Sequence, residues 1–198
     1  MALASVFGMA ILMTADTTSQ AFRAGATLGQ LEQKTRDVLQ RISDRLESAD
    51  LSVTNPMLEA PFHSEWIDYQ RVTGFVAGAR ELGPPERIIL EYSPIDPNNG
   101  LDDDGNGVVD DCLIVWYENP GLANERRVVL SRWIPEFLEN EIGGNLIDDN
   151  GNGLDDERGL SFDFSSDRVT IRVTLQQSDS NGVLITRSLS RTLTLRNR

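Results

Sequence analysis

Asp167-Arg-Val-Thr-Ile-Arg-Val-Thr-Leu-Gln-Gln177 is the stretch whose reading decides the fold. Val169, Ile171, Val173 and Leu175 alternate with Thr170, Arg172, Thr174 and Gln176. A period of two gives a strand with one buried and one wet face, the mark of an antiparallel sheet. Asp179-Ser-Asn-Gly182 follows as a turn, and alternation resumes at Leu184, so the chain ends in an antiparallel hairpin. The same reasoning places the second arm of that hairpin at Val183–Arg196 and, upstream, strands at Trp66–Thr73, Arg87–Tyr92, Cys112–Glu118 and Arg127–Trp133, each bounded by Gly, Pro, Asn or Asp.

Further back the period changes. Leu28, Leu31, Val38, Leu39, Ile42, Leu46 and Ala49 recur at spacings of three and four, and charged residues fill the positions between them. This predicts one amphipathic helix from Thr17 to Ala49, stopped by Asn55-Pro56. Joined to the uncharged start Met1–Ala15, it amounts to ~50 helical residues, or ~75 Å at ~1.5 Å per residue. The expected class is α+β: a long N-terminal helix packed on an antiparallel β-sheet, with residues 1–55 as the helical part and 56–198 as a β-rich body.

With 198 residues, 39% hydrophobic and 25% charged, the chain has material for one compact domain. A net charge of −13 repels phosphate backbones, which argues against nucleic acid and for cations as partners. Cys112 is the sole cysteine, so an intramolecular disulfide is excluded. The apolar run 1–15 is shorter than the ~20 residues a membrane span needs, and reads as the tail end of an anchor that touches the membrane.

The acid is concentrated in two places. Asp102-Asp-Asp104-Gly-Asn106-Gly-Val108-Val-Asp110-Asp111 carries oxygen side chains at loop positions 1, 3, 5 and 9 and glycine at 6, with the Val108 carbonyl at 7. Asp148-Asp-Asn150-Gly-Asn152-Gly-Leu154-Asp-Asp156-Glu157 repeats the scheme, with the Leu154 carbonyl at 7. Ca2+ takes about six to eight hard oxygens, and a tight loop aims alternate side chains inward only if glycine permits the sharp turn. Position 12, a bidentate glutamate in an EF-hand, is Leu113 or Gly159 here, so Asp111 and Glu157 at position 10 are expected to complete the two shells. The expectation is a pair of calcium-binding loop insertions that staple a sheet, rather than a sensor that opens a groove.

Enzymatic motifs are missing from the sequence. His63, the only histidine, stands in Pro-Phe-His-Ser-Glu-Trp, outside any zinc-protease or nucleophile-elbow context, and no phosphate-binding glycine loop precedes a Lys-Ser/Thr pair. Trp66, Tyr69, Trp116, Tyr117 and Trp133 read as core fillers of the sheet. The chain is therefore expected not to be an enzyme.

Ala21-Phe-Arg-Ala-Gly-Ala-Thr-Leu28 through Arg41-Ile-Ser-Asp-Arg-Leu46 resembles the amphipathic half of the long helix in J-type minor pseudopilins. Val169–Leu175, Ile185–Leu189 and Leu193–Asn197 are similar to that family's last strands. The resemblance implies a pilin-like fold and a non-catalytic subunit of a type II secretion or type IV pilus-like assembly. It also implies contacts with other pilin-like subunits through the helix, and a body held outside the cytoplasm at the bacterial inner membrane, in the periplasm. There calcium is plentiful enough for weak sites. The family's processing site, glycine before Phe-Thr-Leu and a glutamate, does not occur before residue 20, so either the start is internal or the chain is not processed. The competing expectation is a secreted or membrane-anchored calcium-dependent adhesion or recognition module.

Overall fold

The structure is a computed structural model that describes residues 2–179 and 182–195, with side chains from residue 21 onward except at 24. It contains helix α1 (Ala2–Leu46), a 3-10 turn (Leu51–Val53) and strands β1 (Trp66–Val76), β2 (Ala79–Tyr92), β3 (Cys112–Glu118), β4 (Arg126–Ile134), β5 (Leu160–Ser165), β6 (Arg168–Ser178) and β7 (Leu184–Thr194). The strands form a four-stranded sheet in the order β1-β2-β3-β4 and a three-stranded sheet in the order β5-β6-β7. Every strand pairing is antiparallel.

This overturns the expected class of a long helix packed on one sheet. Of the residues described with side chains, 45% are in strands and bridges and 16% are helical, and the helix within them is 26 residues long, residues 21–46. The apolar start 1–15, with its expected membrane contact, lies outside the residues described with side chains. Two features account for the difference. The predicted strands missed β5, and β1 and β2 form a longer hairpin than alternation suggested, running through Pro84-Pro85. The extra strand joins the β6–β7 hairpin, which pairs with none of β1–β4 and so forms a second sheet.

The β5 segment Leu-Ser-Phe-Asp-Phe-Ser is buried over its first five residues, on both faces. Its inner edge pairs with β6, and its outer edge is covered by the segment before β1: Ser64 and Phe162 exchange backbone hydrogen bonds of 2.9 and 2.8 Å, and Phe164 N donates to Leu58 O at 2.7 Å. An edge strand is thereby protected from pairing with other chains.

One hydrophobic core joins helix and sheets. Leu31, Val38, Leu39, Ile42 and Leu46 on α1 cluster with Ile67, Ile88 and Ile114 of the larger sheet and Phe162, Ile171 and Val173 of the smaller. Each such side chain contributes about 1.5–3 kcal/mol on burial. Upstream of Leu31 the described part of α1 is largely exposed, with Phe22 78% and Leu28 40% accessible. Among the described residues, no helix is long and apolar enough to cross a membrane.

The C-terminal end of α1 is fixed by a buried carboxylate. Glu86 accepts from Tyr69 Oη at 2.8 Å, Trp116 Nε1 at 2.6 Å and Arg71 Nε at 2.6 Å, while Arg45 of α1 lies 3.7 Å away and stacks on the Trp116 ring. Burial, and then the neighbouring Glu86 charge, push the Tyr69 hydroxyl above its ordinary range.

Candidate metal centre

The two acidic segments are long connections at different joints of the fold. The first, between Tyr92 and Cys112, links β2 to β3 inside the larger sheet. The second, between Ile134 and Leu160, carries the chain from β4 to β5 and so from one sheet to the other. Asp111 and Glu157 stand where these connections return to the body. Ser93 N donates to Asp111 O at 2.9 Å, and Leu138 N donates to Glu157 O at 2.9 Å.

Residue for residue, the loops repeat each other at an offset of 46 positions. Asp102 accepts from the amides of Gly105 (2.8 Å), Asn106 (3.1 Å) and Gly107 (2.8 Å), and Asp148 does the same for Gly151 (2.6 Å), Asn152 (3.0 Å) and Gly153 (2.8 Å). Asp104 and Asn150 accept from the amides of Asn106 and Asn152. Asn106 and Asn152 accept from those of Val108 and Leu154. The side chains of Val108 and Leu154 are each 1% exposed, so they plug the loops into the body and leave their carbonyls to the loop. Backbone conformation follows the same register, with positive φ at Gly105/Gly151, Gly107/Gly153 and Asp110/Asp156.

Asp110 and Asp156, at position 9, serve as clasps. Asp110 takes the amides of Asn99 and Gly100, and Asp156 those of Asn145 and Leu146. Asn99 and Asn145 in turn hold Asp103 and Asp149 at 2.6 and 2.7 Å. These asparagines were not among the predicted residues, although the 46-residue offset runs through them and marks them in the sequence.

Asp96 and Glu141 are a second omission. Asp96, fully buried, receives the amides of Asp103 (2.8 Å) and Asp111 (2.7 Å). Glu141 receives the amide of Asp156 at 3.2 Å and Nδ2 of Asn150 at 2.7 Å. Each loop thus closes around an acid from upstream. Asp96 belongs to the first acidic cluster but sits outside the ligand spacing. Nothing in the sequence singles out Glu141.

At position 10 the loops differ. Asp111 is 3% exposed; its Oδ2 accepts from Asn106 Nδ2 at 3.1 Å, while Oδ1 has no hydrogen-bond partner among the described residues. Burial pushes its pKa up, the Asn106 hydrogen bond opposes that, the Asp104 and Asp96 charges add to it, and the nearby Ser93 hydroxyl draws it slightly down. Glu157, fully buried, accepts from Asn152 Nδ2 at Oε1 and, at 3.5 Å, from Asn150 Nδ2 at Oε2. Glu141 beside it is pushed up by burial and by Glu157.

Among the described residues, no three Asp, Glu, His or Cys side chains converge closely enough to hold a metal by themselves. The loops offer a different donor set: carboxylates at positions 1 and 10, an Asp or Asn at 3, Asn at 5 and a carbonyl at 7, all hard oxygens of the kind Ca2+ takes. An ionised carboxylate oxygen buried without a donor is costly, and a divalent cation would satisfy it. The residues therefore fit calcium best at Asp102, Asp104, Asn106, Val108 and Asp111, and then at Asp148, Asn150, Asn152, Leu154 and Glu157.

Elsewhere the polar groups serve the fold. Burial lowers the pKa of His63, and burial raises that of Cys112 to about 12, so the thiol stays protonated. The chain matches no known protein family, no curated protein and no solved structure.

Proposed function

We propose that the chain is a non-catalytic assembly subunit of the minor-pseudopilin kind, its body made rigid by calcium at two loops. The observation that carries this is the duplicated loop with the same amide-to-carboxylate pattern at two separate joints of the sheets. Without a cation, the acids gathered at each loop repel one another: Asp96, Asp102, Asp103, Asp104, Asp110 and Asp111 at the first, and Glu141, Asp148, Asp149, Asp155, Asp156 and Glu157 at the second. A bound ion converts that repulsion into a staple between strands. The sites' reliance on asparagine suits a compartment rich in calcium, outside the cytoplasm.

The assembly surface in this reading is the exposed stretch of α1 before Leu31, where Phe22 and Leu28 face solvent and would pack against like helices of neighbouring subunits. The test places cysteines at Phe22 and Leu28 and oxidises the protein in its native membrane fraction. Cross-linked adducts with pilin-like subunits are the expected result; none at either position would end the assembly reading. Calorimetric titration with calcium tests the staple separately.

One observation favours a calcium-dependent recognition module instead. Leu101 and Ile147 occupy the same place in the two loops and are 62% and 56% exposed, presenting matched apolar tips whose posture calcium would fix. Calcium-dependent retention on a surface, with no cross-links through α1, would decide for this alternative.

A further inference from the structure

The loops share a backbone but present different charge to a cation. At positions 1, 3, 5 and 10 the first offers Asp102, Asp104, Asn106 and Asp111, with three carboxylates; the second offers Asp148, Asn150, Asn152 and Glu157, with two. Among the described residues the orphan oxygen belongs to the first loop: Asp111 Oδ1 is buried without a donor, whereas both Glu157 oxygens meet asparagine amides. Those amides stand where a cation's positive charge would, so filling the second loop requires Asn150 and Asn152 to give up hydrogen bonds to Glu157 and Glu141. Filling the first asks the same only of Asn106.

We propose that the two loops are unequal calcium sites, with the first filled well before the second and Asp111 Oδ1 as the ligand that sets the difference. This rests on the calcium reading of the loops. Calcium affinity in oxygen-lined loops is tuned by the number of charged ligands and by site rigidity, and both favour the first loop. That loop is also the better anchored: Gly107 packs so closely on Ser178 of β6 that an added Cβ would lie 2.7 Å from the serine Cβ, while a Cβ on Gly153 would meet none of the described residues within 4 Å. The consequence is a graded staple. At low calcium the β2–β3 connection is fixed against the end of β6, and only at higher calcium is the crossing between the sheets fixed as well.

The test is a calorimetric calcium titration of the full chain alongside two nearly isosteric variants. The wild type is expected to give two steps separated by about tenfold or more in affinity. Asp111→Asn should abolish or weaken the tighter step by about tenfold and leave the weaker one in place. Asn150→Asp, a partly exposed change that spares the core, should tighten the weaker step toward the first. Equal sites in the wild type, an Asp111→Asn effect on the weaker step, or no response to Asn150→Asp would overturn the inequality while leaving calcium binding intact. No binding to the wild type would overturn the calcium reading and the inequality together.

Discussion

Glu86 and Asp111 are both carboxylates buried beside β-strands, at 1% and 3% exposure, and the fold treats them in opposite ways. Around Glu86 the chain supplies two guanidinium groups, a phenol and an indole from α1, β1 and β3, which satisfy the charge from within. Around Asp111 it supplies one amide from Asn106, the Ser93 hydroxyl and two more acids, Asp96 and Asp104. A buried charge with internal partners belongs to the architecture. One surrounded by like charges, with an oxygen left over, calls for a partner from solution.

The comparison breaks most readily at Glu86. Glu86→Gln leaves Arg45 and Arg71 without their counter-charge and sets an amide against two donors. The expected loss is about 3 kcal/mol, at the low end for a broken buried pair because Arg71 retains access to water. Urea denaturation should report the same loss in calcium and in chelator. A loss that calcium rescues would mean that Glu86 is coupled to the loops and that the two regions are not independent.

Next in size is Gly107→Ala. Its φ of +87° disfavours any side chain, and the Ser178 contact adds a clash, so a loss of about 2 kcal/mol is expected. Gly153→Ala shares the strain, at φ +91°, without the clash, and should cost about 1 kcal/mol. Equal losses would show that the first loop is not seated on β6 in solution.

These contrasts were legible in the sequence to different degrees. The β6–β7 hairpin and the apolar stripe of α1 follow from periodicity, since each buries one face and leaves the other wet. Strand β5 was hidden because Leu160–Phe164 is buried on both faces and does not alternate. The length of β2 was obscured by Pro84-Pro85, which reads as a break and yet lies within a strand whose pairing with β1 shifts register just beyond, between Gln70 and Val72. The regular spacing of Asp, Asn and Gly exposed the loops, because the proposed ligands of each fall within ten residues of one another. The Glu86 cluster could not be read, because its partners Arg45, Tyr69, Arg71 and Trp116 meet only once three elements have packed.

Asp111→Asn sharpens the comparison through its sign. In chelator the substitution removes an unpaired buried charge and points an amide toward neighbouring carboxylates, so stability should rise by about 1 kcal/mol. With calcium added, the wild type should gain more than the variant and the order should reverse. Thermal melting with and without chelator checks both signs, and a variant less stable in both conditions would place Asp111 with Glu86 as an internally satisfied group.

The smallest effect is read at His63, the only histidine, whose ring protons report on the second loop without any mutation. Burial holds its pKa below the ordinary 6.5, while Glu65, Asp156 and Asp163 pull it upward. The folded state therefore resists protonating His63 where the unfolded chain accepts the proton. Its contribution to stability is fully present above about pH 6.5 and declines as pH falls from there toward the folded pKa. Because Asp156 belongs to the second loop, calcium there offsets one of the charges that raise the pKa. NMR titration should then show a further fall of about a few tenths of a unit in calcium, small because solvent screens the interaction. If the two loops fill in the order inferred, that fall appears only after the first equivalent of calcium is bound. A fall that tracks the first equivalent would instead make the loop beside His63 the tighter site.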